Sequence, residues 1–99
     1  MQKILNATVV TRHSSLVEYL TAIGLINDSA VVVGHVSEDD VIGKDVVGVL
    51  PHSLSCLANS FTEVPLQLPA ELRGKELSVE DLKQYAGAPV TYQVVKISS

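Results

Sequence analysis

Three polar clusters in this chain combine cations, imidazoles and hydroxyls, and each follows an apolar, β-like run. Thr11-Arg12-His13-Ser14-Ser15 follows Leu5–Val10, and Pro51-His52-Ser53 follows Asp45–Leu50. Glu71-Leu72-Arg73-Gly74-Lys75 follows Val64–Leu68. Arginine holds phosphate oxygens in a fork, and lysine binds them as a point charge. Imidazole gives or takes a proton near neutrality. Hydroxyls add further donors. The chemistry these residue types suit is recognition of a phosphate ester. In an open parallel sheet the carboxyl ends of all strands lie on one edge, where ligands bind. Three parallel strands would therefore bring two Arg, one Lys and two His onto a shared rim.

The first cluster lies between a strand end and a helix start, where free backbone N–H groups and the helix dipole favour an anion. Arg12 would grip phosphate oxygens, His13 would donate a proton or a hydrogen bond, and Thr11, Ser14 and Ser15 would add donors. The chain contains no GxGxxG or GxxxxGK[ST] loop. In the second cluster, Pro51, His52 and Ser53 mark another strand-to-helix junction. A Ser–His nucleophile also needs an orienting acid, and no acid is adjacent, so Ser53 reads as a helix cap. In the third cluster, Gly74 permits close backbone approach to a ligand. Arg73 and Lys75 either hold phosphates or pair with Glu71 and Glu76; exposed pairs of that kind contribute about 0–1 kcal/mol.

Metal ligation is not expected. His13, His35 and His52 are widely spaced, Cys56 is the single cysteine, and no HxxxH or CxxC pattern occurs. Cys56 reads as a small buried apolar residue, and Asp39-Asp40 as a solvated turn. No cofactor is expected.

The elements that must position these residues are legible from periodicity and punctuation. Ile4–Val10, Ala30–Val33, Val46–Leu50, Phe61–Leu68 and Val90–Ile97 read as strands. A helix is expected from Ser14 or Ser15, with Glu18 completing a capping box, Leu16, Tyr19, Leu20 and Ile23 inward, and Gly24 as its stop. Ser37 opens a helix or turn, Ser53–Asn59 a short helix, and Ser78 a further helix with Asp81 three residues on. Strands alternating with helices predict an α/β fold. The expected architecture is a single Rossmann-like domain over residues 1–99, with a mainly parallel five-stranded sheet and helices on both faces. The last strand alternates plainly, as an edge or antiparallel strand would. A ferredoxin-like α+β fold is the alternative.

Composition sets outer bounds. A chain of 99 residues is one domain, and at this size pairing with a second copy would add stability. Aromatics are few, with one Phe, three Tyr and no Trp, so the core rests on Val, Leu and Ile. Net charge is −4, which argues against binding duplex nucleic acid. It does not oppose a small anion, because charges beyond ~8 Å are largely screened at cellular salt. The lone cysteine allows no internal disulfide and favours a cytoplasmic setting. Met1-Gln2-Lys3-Ile4 does not read as a signal peptide, and no apolar run is long enough for a membrane span.

Longer motifs carry a resemblance. Val10-Thr11-Arg12-His13, then Gly48-Val49-Leu50-Pro51, then Leu66-Gln67-Leu68-Pro69-Ala70-Glu71-Leu72-Arg73-Gly74-Lys75-Glu76-Leu77-Ser78 stand in the order found in a small type III CRISPR-associated family. The chain resembles that family over nearly its whole length. It departs at Ser14-Ser15-Leu16, where a glycine is expected, and at Tyr19, where relatives tend to carry tryptophan. The family looks like a stand-alone ring nuclease akin to CRISPR-associated Rossmann-fold sensor domains. The resemblance implies a cyclic oligoadenylate substrate, chiefly the tetra-adenylate ring, whose internal symmetry a homodimer would match. It implies metal-independent attack by a ribose 2′-hydroxyl, leaving a cyclic 2′,3′-phosphate. Arg12 and Arg73 would stabilise charge, Lys75 would bind the ring, and His13 would serve as general acid. Adenines would rest against Leu50-Pro51 and Leu72. The alternative is a protein that binds the messenger without cutting it.

Overall fold

A computed structural model describes residues 3–98; Met1, Gln2 and Ser99, and with them the start of the N-terminal reading, lie outside the described residues. The elements are β1 (Thr8–Val10), α1 (Ser14–Ala22), β2 (Val31–Val33), α2 (Glu38–Val41) and β3 (Asp45–Gly48). They continue with α3 (His52–Ser55), β4 (Ser60–Glu63), a 3-10 turn (Ala70–Leu72), α4 (Val79–Tyr85) and β5 (Val90–Tyr92). The strands form one five-stranded sheet in the order β2-β1-β3-β4-β5. β1 pairs in parallel with β2 and β3, and β3 in parallel with β4. β5 pairs antiparallel with β4 at the edge. The expected α/β sheet is present, and its alternating last segment is the antiparallel strand.

Pleating assigns the core residues to two faces. Val9 stands opposite Val47, and both pack with Tyr19, Leu20, Leu25, Ile26 and Leu82 under α1 and α4. Val46 stands opposite Phe61, and both pack with Val41 and Leu50 under α2 and α3. The chain steps outward from β1 to β2, then returns across β1 to β3. Crossovers of one hand must put those two connections on opposite faces, as α1 and α2 do. The buried branched side chains supply the main driving force, about 1.5–3 kcal/mol each.

Several element boundaries differ from the sequence reading. α1 begins at Ser14 with His13 in the N-cap position, and no side chain caps it. The Thr11 hydroxyl accepts the His13 N–H at 3.1 Å, a local turn that starts the helix before Ser15 can act as cap. The Ser15–Glu18 box is therefore not formed. α3 begins at His52 with Pro51 as its N-cap, so Ser53 lies inside the helix and not at its cap. β4 ends at Glu63, short of Leu68: Pro65 has no N–H to donate, and Leu66 makes only an isolated bridge to Ala86. β5 stops at Tyr92. The Ser78–Asp81 box forms as expected, with reciprocal bonds of 3.1 Å. Buried Thr62 satisfies its hydroxyl on Thr91 at 2.7 Å, tying β4 to the edge strand. Among the described residues, no helix is long and apolar enough to cross a membrane.

One backbone contact limits how the sheet closes. Gly48 ends β3 opposite Val10 with φ +142. A Cβ there would collide with the Val10 carbonyl oxygen. Gly34, at the end of β2, has no such constraint; its nearest neighbour would be Arg12 Cγ at 3.9 Å. Gly48→Ala is expected to lower the free energy of unfolding by at least about 1–3 kcal/mol, whereas Gly34→Ala changes it by less than about 0.5 kcal/mol. Urea denaturation of both variants measures the contrast.

Candidate functional site

The carboxyl ends of β1, β2 and β3 lie on one edge because the three strands are parallel. The order of connections reverses between β1 and β3, where open α/β sheets leave a crevice, and β1 borders it. Thr11-Arg12-His13 leaves β1 there, and Gly34-His35 leaves β2 beside it. Thr11 N–H donates to the Val33 carbonyl at 3.0 Å, extending the pairing one residue past the strands. This places Arg12 against the end of β2.

Arg12 is held from two sides. Its Nε–H donates to the Gly34 carbonyl at 3.3 Å, and Nη2 lies 3.0 Å from Nδ1 of His35. A guanidinium has no acceptor, so it donates and His35 Nδ1 accepts. Two of its five N–H groups are thus engaged, and the others remain for a ligand. Among the described residues no carboxylate pairs with Arg12.

His13 joins the first cluster to the third. Its Nδ1 lies 2.8 Å from Oε1 of Glu76. The carboxylate accepts and the imidazole donates. Both side chains are mostly exposed, at 59% and 70%, so the contact adds little to stability. Its effect is orientation: a residue remote in sequence fixes the plane of the ring at the helix N-terminus. Thr11, Arg12, His13 and Ser14 line a shallow hollow with Val17, Glu18 and Val32. Ser15 is half-buried in the first turn of α1.

The remaining expected residues distribute differently. Gly74 takes φ +80 in the turn after the 3-10 segment, and Lys75 next to it is exposed. Neither Arg73 nor Lys75 makes an ion pair among the described residues; Glu76 turns to His13 instead. Arg73 lines a separate hollow with Leu66, Gln67, Leu68, Pro69 and Tyr85. His52 and Ser53 line another, with Glu38, Cys56, Val95 and Lys96. Cys56 is half-buried at the end of α3, not fully enclosed. Leu50 is 8% exposed and packs in the core, so it offers no surface to a base, while Pro51 is exposed. Among the described residues, no three His, Cys, Asp or Glu side chains cluster as a metal site would require.

Two site residues escaped the sequence reading. His35 was visible only as a residue after a strand. The position of that strand beside β1, which puts His35 next to Arg12, is a property of topology. Glu76 looked like a local partner for Arg73 or Lys75. No sequence signal connects it to His13, 63 positions away.

Removing the His35 imidazole should loosen Arg12 without disturbing the fold. In His35→Ala, stability is expected to change by less than about 0.5 kcal/mol. Hydrogen exchange at Arg12 Nε–H, followed by NMR, is expected to accelerate. Unchanged exchange would show that His35 does not restrain the guanidinium.

Comparison with known proteins gives one match. A family model described as "Putative CRISPR-associated protein (Cas_VVA1548)" covers residues 8–95, from the first residue of β1 to beyond β5. No curated protein and no solved structure matches the chain. The match spans all three polar clusters and the His13–Glu76 contact, and on that extent the chain belongs to the Cas_VVA1548 family of CRISPR-associated proteins.

Proposed function

We propose that this protein is a ring nuclease with a Rossmann-like fold. It opens cyclic oligoadenylate, chiefly cyclic tetra-adenylate, and so ends type III CRISPR signalling. The observation that carries the reading is a pair of neighbouring contacts past the end of β1, Arg12 on Gly34 and His35 and His13 on Glu76, in a CRISPR-associated family. A phosphodiester of RNA contains its own nucleophile, the ribose 2′-hydroxyl. The protein's tasks are to bend the ring for in-line attack and to stabilise charge on the phosphorane-like transition state. Arg12, held by Gly34 and His35 with free N–H groups, suits the second task. Lys75 and Gly74 lie one and two residues from Glu76 and suit the binding of a neighbouring phosphate.

Arg73 and Tyr85 border their own hollow. A purine could stack on the Tyr85 ring there while Arg73 meets the adjacent phosphate. A ring of repeated units matches a twofold pair of chains, which would offer four arginines and two Lys75 side chains to four phosphates. The chemistry assigns no role to a metal ion.

Purified protein incubated with cyclic tri-, tetra- and hexa-adenylate in the presence of chelator is expected to yield linear products with a 2′,3′-cyclic phosphate and a 5′-hydroxyl. Intact ligand after prolonged incubation would identify a binding protein instead. Arg12→Ala is expected to slow cleavage about 10²–10³-fold, and His13→Ala about 10²–10⁴-fold. Wild-type rates in both variants would remove the site from the rim.

A further inference from the structure

We infer that Glu76 is a positioning residue that sets the tautomer of His13, leaving Nε2 as the ring's proton acceptor, available to a ligand. The inference rests on the ring-opening reading above. Its basis is the 2.8 Å contact between Glu76 Oε1 and His13 Nδ1. A carboxylate can only accept, so the ring proton of a neutral His13 resides on Nδ1. Nε2 then carries the lone pair. It makes no protein hydrogen bond among the described residues. The arrangement has the base-and-orienting-acid logic of a catalytic triad, in which the acid holds the imidazole in one tautomer and one plane. Here the nucleophile comes from the substrate.

This changes the role of His13 from the acid expected of it to a base. Nε2 takes the proton of the 2′-hydroxyl, O2′ forms its bond to phosphorus, and the bond from phosphorus to O5′ breaks. In-line displacement puts O2′ and O5′ on opposite sides of phosphorus, beyond the reach of one imidazole. The leaving O5′ is therefore protonated by solvent, to which this exposed rim is open. His13 finally returns its proton to water. The charged groups that line the hollow are Arg12 and Glu18; Glu76 meets His13 without lining it. Arg12 is anchored on Gly34 and His35, and Glu18 makes no hydrogen bond to the imidazole. Among the described residues, Glu76 is the one that hydrogen-bonds a ring nitrogen of His13.

The test uses the whole chain. Long-range ¹H–¹⁵N NMR of the imidazoles, at a pH where they are neutral, reads the tautomer directly, with His13→Ala identifying the His13 signals. Wild type is expected to show the proton on Nδ1, and Glu76→Ala to shift it toward Nε2. Glu76 is mostly solvent-exposed, so the variant should fold; its melting temperature checks this. In the cleavage assay, Glu76→Ala is expected to lower kcat about 10- to 100-fold, by analogy with outer partners that orient metal-ligating histidines, with KM little changed. The double variant with His13→Ala should be no slower than His13→Ala alone. A wild-type proton on Nε2, an unaltered tautomer in Glu76→Ala, or full kcat in that variant overturns the inference. A wild-type chain that cleaves nothing defeats the ring-opening reading, while the NMR comparison still accepts or rejects Glu76 as the group that sets the tautomer.

Discussion

The close parallel pairing of β1 with β3, with Gly48 directly against the Val10 carbonyl, is the constraint on which the candidate site depends. β1 contributes only three residues to the sheet, yet it pairs on both sides and ends in Thr11-Arg12-His13. Any side chain at position 48 would push the two strand ends apart at the edge where the polar groups converge. The pairing also fixes which strand lies on the far side of β1. That strand is β2, whose end delivers Gly34 and His35 to Arg12. The site is thus a consequence of strand order before it is a matter of individual side chains.

The polar contacts on this edge add little to folding stability. The His13–Glu76 pair is exposed on both sides, and the Arg12 contacts are exposed as well. Stability lies in two apolar layers, one on each face of the sheet, in which strand residues such as Val46 and Val47 alternate between the faces. That division leaves the rim free for chemistry. The polar groups can be oriented by their neighbours without those neighbours being required to hold the domain together. An acidic chain, net charge −4, here keeps the guanidinium of Arg12 without a carboxylate partner among the described residues.

Much of the architecture was legible from residue patterns. Alternating apolar runs gave five strands in their correct order along the chain. Ser78 with Asp81 marked a capped helix, and Gly24 marked a stop. The clusters at positions 11–15 and 51–53 were rightly placed at strand-to-helix junctions. Errors came where local chemistry competed with pattern. The Thr11 hydroxyl, by bonding to the His13 N–H, pre-empted the Ser15 cap. Pro65 broke a run that looked continuous to Leu68. Leu50, read as a surface for a base, belongs to the core because the pleat turns it inward beside Phe61.

By itself the sequence determined the α/β class, the two-faced apolar core and the residue types available for phosphate chemistry, because periodicity and turn residues act over short stretches of chain. Only the tertiary structure decided which polar groups meet. His35 reaches Arg12 because β2 lies beside β1, and Glu76 reaches His13 because the segment after β4 folds back to the first helix. Both contacts join residues distant along the chain, and such proximity arises from strand order and packing, which leave no trace in local spacing.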